Sequence, residues 1–334
     1  MADISNWYEL VPKAELHLHL EGSIPLEALW ELVLKYGGNR EVPDLEALKD
    51  KFQYRDFPHF IDTWVWKNQF IREYDDFTFI SEAVARDLAS QNIRYVEAFY
   101  SPPDFARFGL TIQEITASIR RGLDRVPEIT FYLIPDLVRD FGPKKAMVSL
   151  EKVSEVRDKG IPGIGIGGSE QSFPPEPFEE VYEKARNLGF RTTAHAGEAA
   201  GAGSVWGAVN VLQADRIGHA TRAEEDETLL EVLLEKQVPL ELCPISNVCT
   251  GAVDSYEEHP VRRYFEYGLK ISINTDDPKM FGNSLAEEYR QLVERMGFTI
   301  QDLRNILFQT IDASWQTEAQ KTEMKKEFES SPEW

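Results

Sequence analysis

Residues 14–21 read AELHLHLE, and strict alternation splits them into two sets. Leu16, Leu18 and Leu20 share one parity, while Glu15, His17, His19 and Glu21 share the other. Successive side chains of a strand point to opposite faces, so this strand has one leucine face and one ionisable face. A parallel sheet buried between two helical layers has no place for the second face, because unpaired buried charge is costly. A closed barrel has one: the leucines pack against outer helices and the polar groups point into the lumen. Residues 270–276 repeat the pattern, with Ile271 and Ile273 on one side and Ser272, Asn274 and Asp276 on the other.

Further strand-like runs lie at 94–100, 130–136, 163–167, 191–195, 216–219 and 238–243, mostly separated by charged amphipathic stretches such as 177–188 and 224–236. Eight strands alternating with helices predict an α/β fold, a (β/α)8 TIM barrel. The 334 residues, 42% hydrophobic, suffice for one large core, and no low-complexity linker divides them, so residues 1–334 are expected to form a single domain. The segment from 40 to about 90 is too long for one barrel helix. Its Phe57, Phe60, Ile61 and Trp64 have helical spacing, which fits either plain core packing or an inserted helical lid after strand 1.

Acidic residues outnumber basic ones 57 to 36, giving a formal charge of −21. Such a surface repels phosphate backbones and anionic lipid, so no nucleic acid or membrane partner is expected, and no obligate protein partner is inferred. Two cysteines, Cys243 and Cys249, make no disulfide framework. The N-terminal run lacks the basic and apolar regions of a signal peptide, and no stretch approaches the length of a membrane span, which predicts a cytoplasmic protein.

Of six histidines, four end candidate strands: His17, His19, His195 and His219. Active sites of such barrels gather at the C-terminal strand ends, so these four are expected to converge. Taken singly, each is more often a structural residue, and His59 and His259 are left in that class. His17 and His19, two apart on one strand, project to the same side and can share a cation. With His195, in TAHAGE, and Asp276, in NTDDP, they offer three imidazoles and a carboxylate. That set suits one Zn²⁺ per chain with a position left for water, whose pKa bound zinc lowers to about 7. Glu198 follows His195 by three residues, either as a first-turn helix carboxylate or as a group facing substrate. His219 is placed to orient or deprotonate a water. Asp277 adjoins Asp276, either capping the turn before Pro278 or contacting substrate.

The runs PKAELHLHLEGS, TAHAGE, RIGHA, CPISNVCTGA and NTDDP, in that order from Pro12 to about Tyr289, resemble the adenosine deaminase family of the amidohydrolase superfamily. The resemblance implies that His17, His19, His195 and Asp276 hold zinc, that Glu198 passes a proton to purine N1 and that His219 acts on the attacking water. It further implies that Asp277 meets N7, that the Gly168 backbone N–H meets N3, and that His19 and Glu21 contact the substrate, Glu21 at the position that approaches the sugar. Phe57, Phe60, Ile61 and Trp64 match the family's hydrophobic gate. The implied reaction is hydrolytic deamination of a small purine: adenosine to inosine and ammonia, or a close adenosine derivative.

Two departures bear on the substrate. Glu21 stands where adenosine deaminases typically carry aspartate, which resembles the adenine deaminase branch, while FYSP at 99–102 and TGAV at 250–253 resemble nucleoside enzymes. Adenine, an N6-substituted adenine and aminodeoxyfutalosine therefore stay open as alternatives. A binuclear amidohydrolase is disfavoured because residues 167–170 read GGSE, without a bridging lysine. The small cytidine-type zinc deaminase is disfavoured because no CxxC follows Cys243-Pro244. A non-catalytic barrel that only binds its ligand is the rival from another class.

Overall fold

The first strand of the computed structural model, β1 (Lys13–His19), is buried along its whole length on both faces. The structure describes residues 6–55 and 57–334. Leu16 and Ala14 pack outward on Leu307, Ile311 and Phe328, from the helices Ile300–Ala313 and Glu318–Glu329. The ionisable parity faces inward, as a barrel lumen requires.

Seven more strands follow: β2 (Ile93–Tyr100), β3 (Thr130–Pro135), β4 (Gly163–Ile164), β5 (Arg191–Ala196), β6 (Arg216–His219), β7 (Leu240–Leu242) and β8 (Ile271–Ile273). All pair in parallel, in two runs ordered β1-β2-β3 and β4-β5-β6-β7-β8. Two single bridges join the runs, Asp136 to Gly165 and Leu18 to Asp276, and close the barrel. At the second seam a side chain replaces part of the ladder: Asn274 Oδ1 accepts the N–H groups of Leu16 and His17.

Three strands are shorter than their sequence patterns, each for a local reason. Asp276 has φ +64°, a left-handed conformation that ends β8 early. β7 is bounded by Pro239, which has no N–H, and by a helix opening at Pro244. Beyond Ile164, β4 gives way to Gly165 and Gly167, whose N–H groups bond to Pro135 O and the Asp136 carboxylate.

Inside the barrel lies a charged layer. Arg216 binds Glu97 at 2.6 Å and Glu241 at 2.5 Å, with its guanidinium 3.9 Å from the Trp315 ring centre. All three charged residues are fully buried, so each charge needs its partners; losing one would leave the others uncompensated.

Between β1 and β2, among the described residues, run the α-helices Leu26–Lys35, Leu45–Lys51, Phe57–Asn68 and Tyr74–Ser90, which account for the overlong insertion. No helix among the described residues is long and apolar enough to cross a membrane.

Candidate active site

Four groups from three distant stretches of chain meet at the C-terminal end of the barrel. Donor atoms of His17, His19, His195 and Asp276 all lie within 4.8 Å of one another, and all four residues are buried. His19 Nε2 stands 3.1 Å from His195 Nε2 and 3.3 Å from Asp276 Oδ1, and His17 Nε2 stands 3.6 Å from the same carboxylate oxygen.

The orientation of the rings is fixed from behind. His17 Nδ1 donates to Glu241 at 2.8 Å and His195 Nδ1 donates to the Ile166 carbonyl at 3.1 Å. With Nδ1 so engaged, each ring in its neutral form aims an Nε2 lone pair at the cluster, and His17 Nε2 has no protein hydrogen bond. Ser246 donates to Asp276 Oδ2 at 2.6 Å, leaving Oδ1 toward the histidines. Three imidazoles turned this way beside one carboxylate form a nitrogen–oxygen donor set that fits a divalent cation, which takes the neutral form of each ring.

Around this cluster opens a cavity of about 260 Å³. Its walls include His19, Gly168, Glu198, His219, Asp276 and Asp277. Glu198 lies on the loop between β5 and the helix Ala202–Trp206, outside that helix's first turn. Glu170 anchors the loop: its carboxylate accepts N–H groups from Gly197, Glu198, Ala199 and Ala200. Burial, and then the nearby Asp276 and Glu170 charges, raise the Glu198 carboxyl well above its ordinary range.

Asp277 makes no side-chain cap to the turn that follows, so its carboxylate is not used there. Burial, then Asp276, pushes it up to about 7, and its Oδ1 has no hydrogen-bond partner. Gly22 packs beneath it so closely that a Cβ there would lie 1.7 Å from Asp277 Oδ1. Gly168 has φ +106°, and a Cβ there would lie 2.1 Å from Asp140 Oδ2. Both positions require glycine.

His219 also sits at φ +62°, a strained turn at the end of β6. Its Nε2 is 3.5 Å from Glu198 Oε2. Behind it runs a hydrogen-bonded chain. The Val261 N–H donates to His259 Nδ1 at 3.1 Å, His259 Nε2 meets Asn247 Oδ1 at 3.1 Å, and Asn247 Nδ2 meets His219 Nδ1 at 3.0 Å. Burial lowers the pKa values of both His219 and His259 to about 3, which keeps both rings neutral.

Of the residues matched to a hydrophobic gate, Phe60, Ile61 and Trp64 line the cavity from the helix Phe57–Asn68. Phe60 is also a core residue, with its ring stacked on Phe281 at 5.1 Å, so core packing and cavity lining coincide in one side chain. The Phe57 side chain lies outside the described residues. Glu21 sits behind the cavity wall: its Oε1 accepts the Ser101 N–H at 2.9 Å, its Oε2 has no partner, and Lys67 binds its carbonyl.

Sequence reasoning passed over Asp104 and Asp136, which also line the cavity, and the residues that hold others in place: Glu170, Glu241, Asn247 and His259. For His259 a signal existed, since it is one of only six histidines. The rest are common residue types in no distinctive spacing.

The adenosine deaminase family model matches residues 12–330. An adenine deaminase of Bordetella parapertussis is 34% identical over 311 residues, covering 92% of this chain and 98% of the relative. The crystal structure of adenine deaminase from Arthrobacter aurescens superposes with a TM-score of 0.90 at 29% identity, covering 96% of this chain and 98% of that one. An amidohydrolase from Burkhoderia ambifaria, solved with bound Zn, gives 0.90 at 28% identity, covering 98% and 92%. A barrel closed around three histidines and an aspartate, matched over nearly its whole length, belongs to the adenosine deaminase family.

Proposed function

We propose that this protein hydrolytically deaminates a 6-aminopurine, releasing ammonia and leaving a 6-oxopurine, with one Zn²⁺ held by His17, His19, His195 and Asp276. The observation that carries the proposal is the meeting of this donor set with Glu198, His219 and Asp277 on one small cavity. The nucleoside suggested by FYSP and TGAV is less well supported than the base: two of the three proteins reported above are named adenine deaminases, and Glu21 points the same way.

When bound, the metal supplies Lewis acidity that activates water. The chain's own residues do the rest. Glu198, its carboxyl held protonated by burial, donates to ring N1 as the purine is attacked at C6. His219 presents Nε2–H, because its Nδ1 is occupied as an acceptor from Asn247. A neutral ring in that tautomer orients the attacking water by donating to it and does not remove its proton. Asp277, titrating near neutrality, donates to N7 in its protonated form. The Gly168 N–H is available to N3 only because no Cβ stands beside it. Phe60, Ile61 and Trp64 cover the ring with apolar surface and exclude water, acting as the lid.

The test is ammonia release from adenine, adenosine, deoxyadenosine, N6-substituted adenines and aminodeoxyfutalosine, with metal content measured on the same preparation. Release from at least one at about one zinc per chain supports the proposal. Bound zinc with no release from any of them would leave the barrel a binding protein.

A further inference from the structure

Lys13 and Lys67 are both buried, at 0% and 1% exposure, where lysine is rare without a carboxylate on it. Lys13 has a local explanation. Its Nζ donates to the carbonyls of Tyr8, Glu9 and Val11, all within five residues, and closes the end of the short helix Trp7–Leu10. Lys67 differs. It stands in the last turn of the helix Phe57–Asn68, whose Phe60, Ile61 and Trp64 line the catalytic cavity. Its Nζ donates to the Glu21 carbonyl, far away in sequence, at 2.7 Å, and to the adjacent Asn68 Oδ1 at 2.8 Å. The third contact is aromatic: Nζ lies 4.1 Å from the centre of the Trp64 ring. No carboxylate pairs with it among the described residues, whereas the less buried Lys35, Lys279 and Lys325 each reach one.

Both groups that Lys67 grips face the chemistry. Trp64 meets the His19 ring edge-on, 5.9 Å between centres, and its indole N–H donates to Asp104 at 3.4 Å. Glu21 opens the turn Glu21–Ser23, just past His19. Its carboxylate accepts the N–H of Ser101, a cavity residue, and its neighbour Gly22 packs beneath Asp277. One ammonium thus joins the helix that walls the cavity to the turn that runs beneath a substrate contact. Burial lowers the pKa of Lys67, opposed by Glu21, then Asp277 and Asp104, so its charge is balanced at longer range by three carboxyl groups around the site. A buried charge without a close partner is costly, and an apolar side chain would suit the place better if packing were all it did.

We propose that Lys67 is a positioning residue for the reaction: its ammonium latches the helix Phe57–Asn68 to the Glu21–Ser23 turn and so holds Trp64 in the cavity wall over the purine site. Its kinetic consequence rests on the 6-aminopurine function; the latch itself does not. Lys67 touches neither substrate nor metal. It acts through the indole, which it fixes from one side while Asp104 fixes the N–H and the His19 ring abuts its edge. With the latch released, the indole is free to swing from the wall and admit water to the purine.

Lys67→Met keeps most of the stem and removes the charge and its donors. Because no ion pair is broken, the full chain should still fold and load zinc. Lys67→Gln, which keeps a donor for the Glu21 carbonyl, gives the same readouts should the methionine variant not fold. On the purine it deaminates, KM should rise about tenfold or more while kcat falls less, the loss expected of a charged hydrogen bond and a desolvated cation–π contact. In a Trp64→Leu background the same substitution should cost about threefold or less, because the ring that Lys67 holds is gone. An unmoved KM, or losses that simply add in the double variant, overturns the proposal. A second arm needs no substrate. Acrylamide quenching of tryptophan emission, compared with Trp64→Leu to isolate that indole, should be steeper for Trp64 in Lys67→Met than in the parent. Equal quenching overturns the latch whether or not ammonia is released. Steeper quenching in a zinc-loaded chain that releases no ammonia upholds the latch and sinks the reaction.

Discussion

His259 dictates the tautomer of His219, although forty residues separate them and they never touch. A backbone N–H can only donate, so the Val261 N–H fixes His259 Nδ1 as an acceptor and its Nε2 as the donor to Asn247 Oδ1. The Asn247 amide nitrogen must then donate to His219 Nδ1, and the only proton on that neutral ring sits on Nε2, facing the cavity. Replacing His259 by Phe removes the donor that holds the asparagine. With zinc content unchanged, kcat should fall about 10- to 100-fold with little change in KM, as for other supporting partners of a site. Steady-state kinetics alongside metal analysis checks this; an unchanged kcat would show that the chain does not set His219.

The same histidine gives stability a pH dependence. Burial holds His259 at about 3, against about 6.5 in an unfolded chain. Between those values the unfolded state binds a proton that folded His259 does not, so its contribution to stability falls as pH drops through that window. Urea midpoints should therefore decline from pH about 7 to about 4 more steeply in the parent than in His259→Asn. Parallel curves would assign the acid sensitivity to other groups.

Glu198→Gln keeps the shape of the side chain and removes its transferable proton. The metal cluster does not include this residue, so zinc should remain bound while turnover falls about 100- to 10,000-fold. Near-normal turnover would remove Glu198 from the role of proton donor.

Gly22→Ala tests the placement of Asp277 without touching its chemistry. The new methyl would lie 1.7 Å from Asp277 Oδ1, so the carboxylate has to move. A displacement near 1 Å at a substrate contact costs on the order of 100-fold in rate. The expected outcome is a folded, zinc-loaded chain with activity reduced by about that factor, measured by ammonia release.

The metal cluster was legible because period-2 alternation is a local signal. His17 and His19 declare a polar inner face within seven residues, Asp276 stands at the end of a run with the same alternation, and His195 ends a further strand-like run. Strand ends were less visible, because Asp276 leaves β8 through a positive φ that no propensity announces. Glu170 and Glu241 were invisible for another reason: each works on a group from a distant stretch, and although Glu241 alternates with Leu240 and Leu242, nothing local names His17 and Arg216 as its partners. Glu170 reads as loop polarity until four N–H groups are found on its carboxylate. The gate match was ambiguous at Phe60 because one ring serves both core and cavity.

The Arg216 layer carries influence to a part of the chain remote from the chemistry. Arg216 also donates to the Ala313 carbonyl, and Glu97 accepts the Trp315 N–H, so the turn after the helix Ile300–Ala313 closes the circuit that ends on the His17 ring through Glu241. Clipping the tail ahead of residue 313 would uncouple a buried guanidinium from its stacking partner and slacken the imidazole it steadies at second hand. Damage at the tail would then register as weakened metal retention, a lesion at the opposite end of the sequence from the histidine that suffers it.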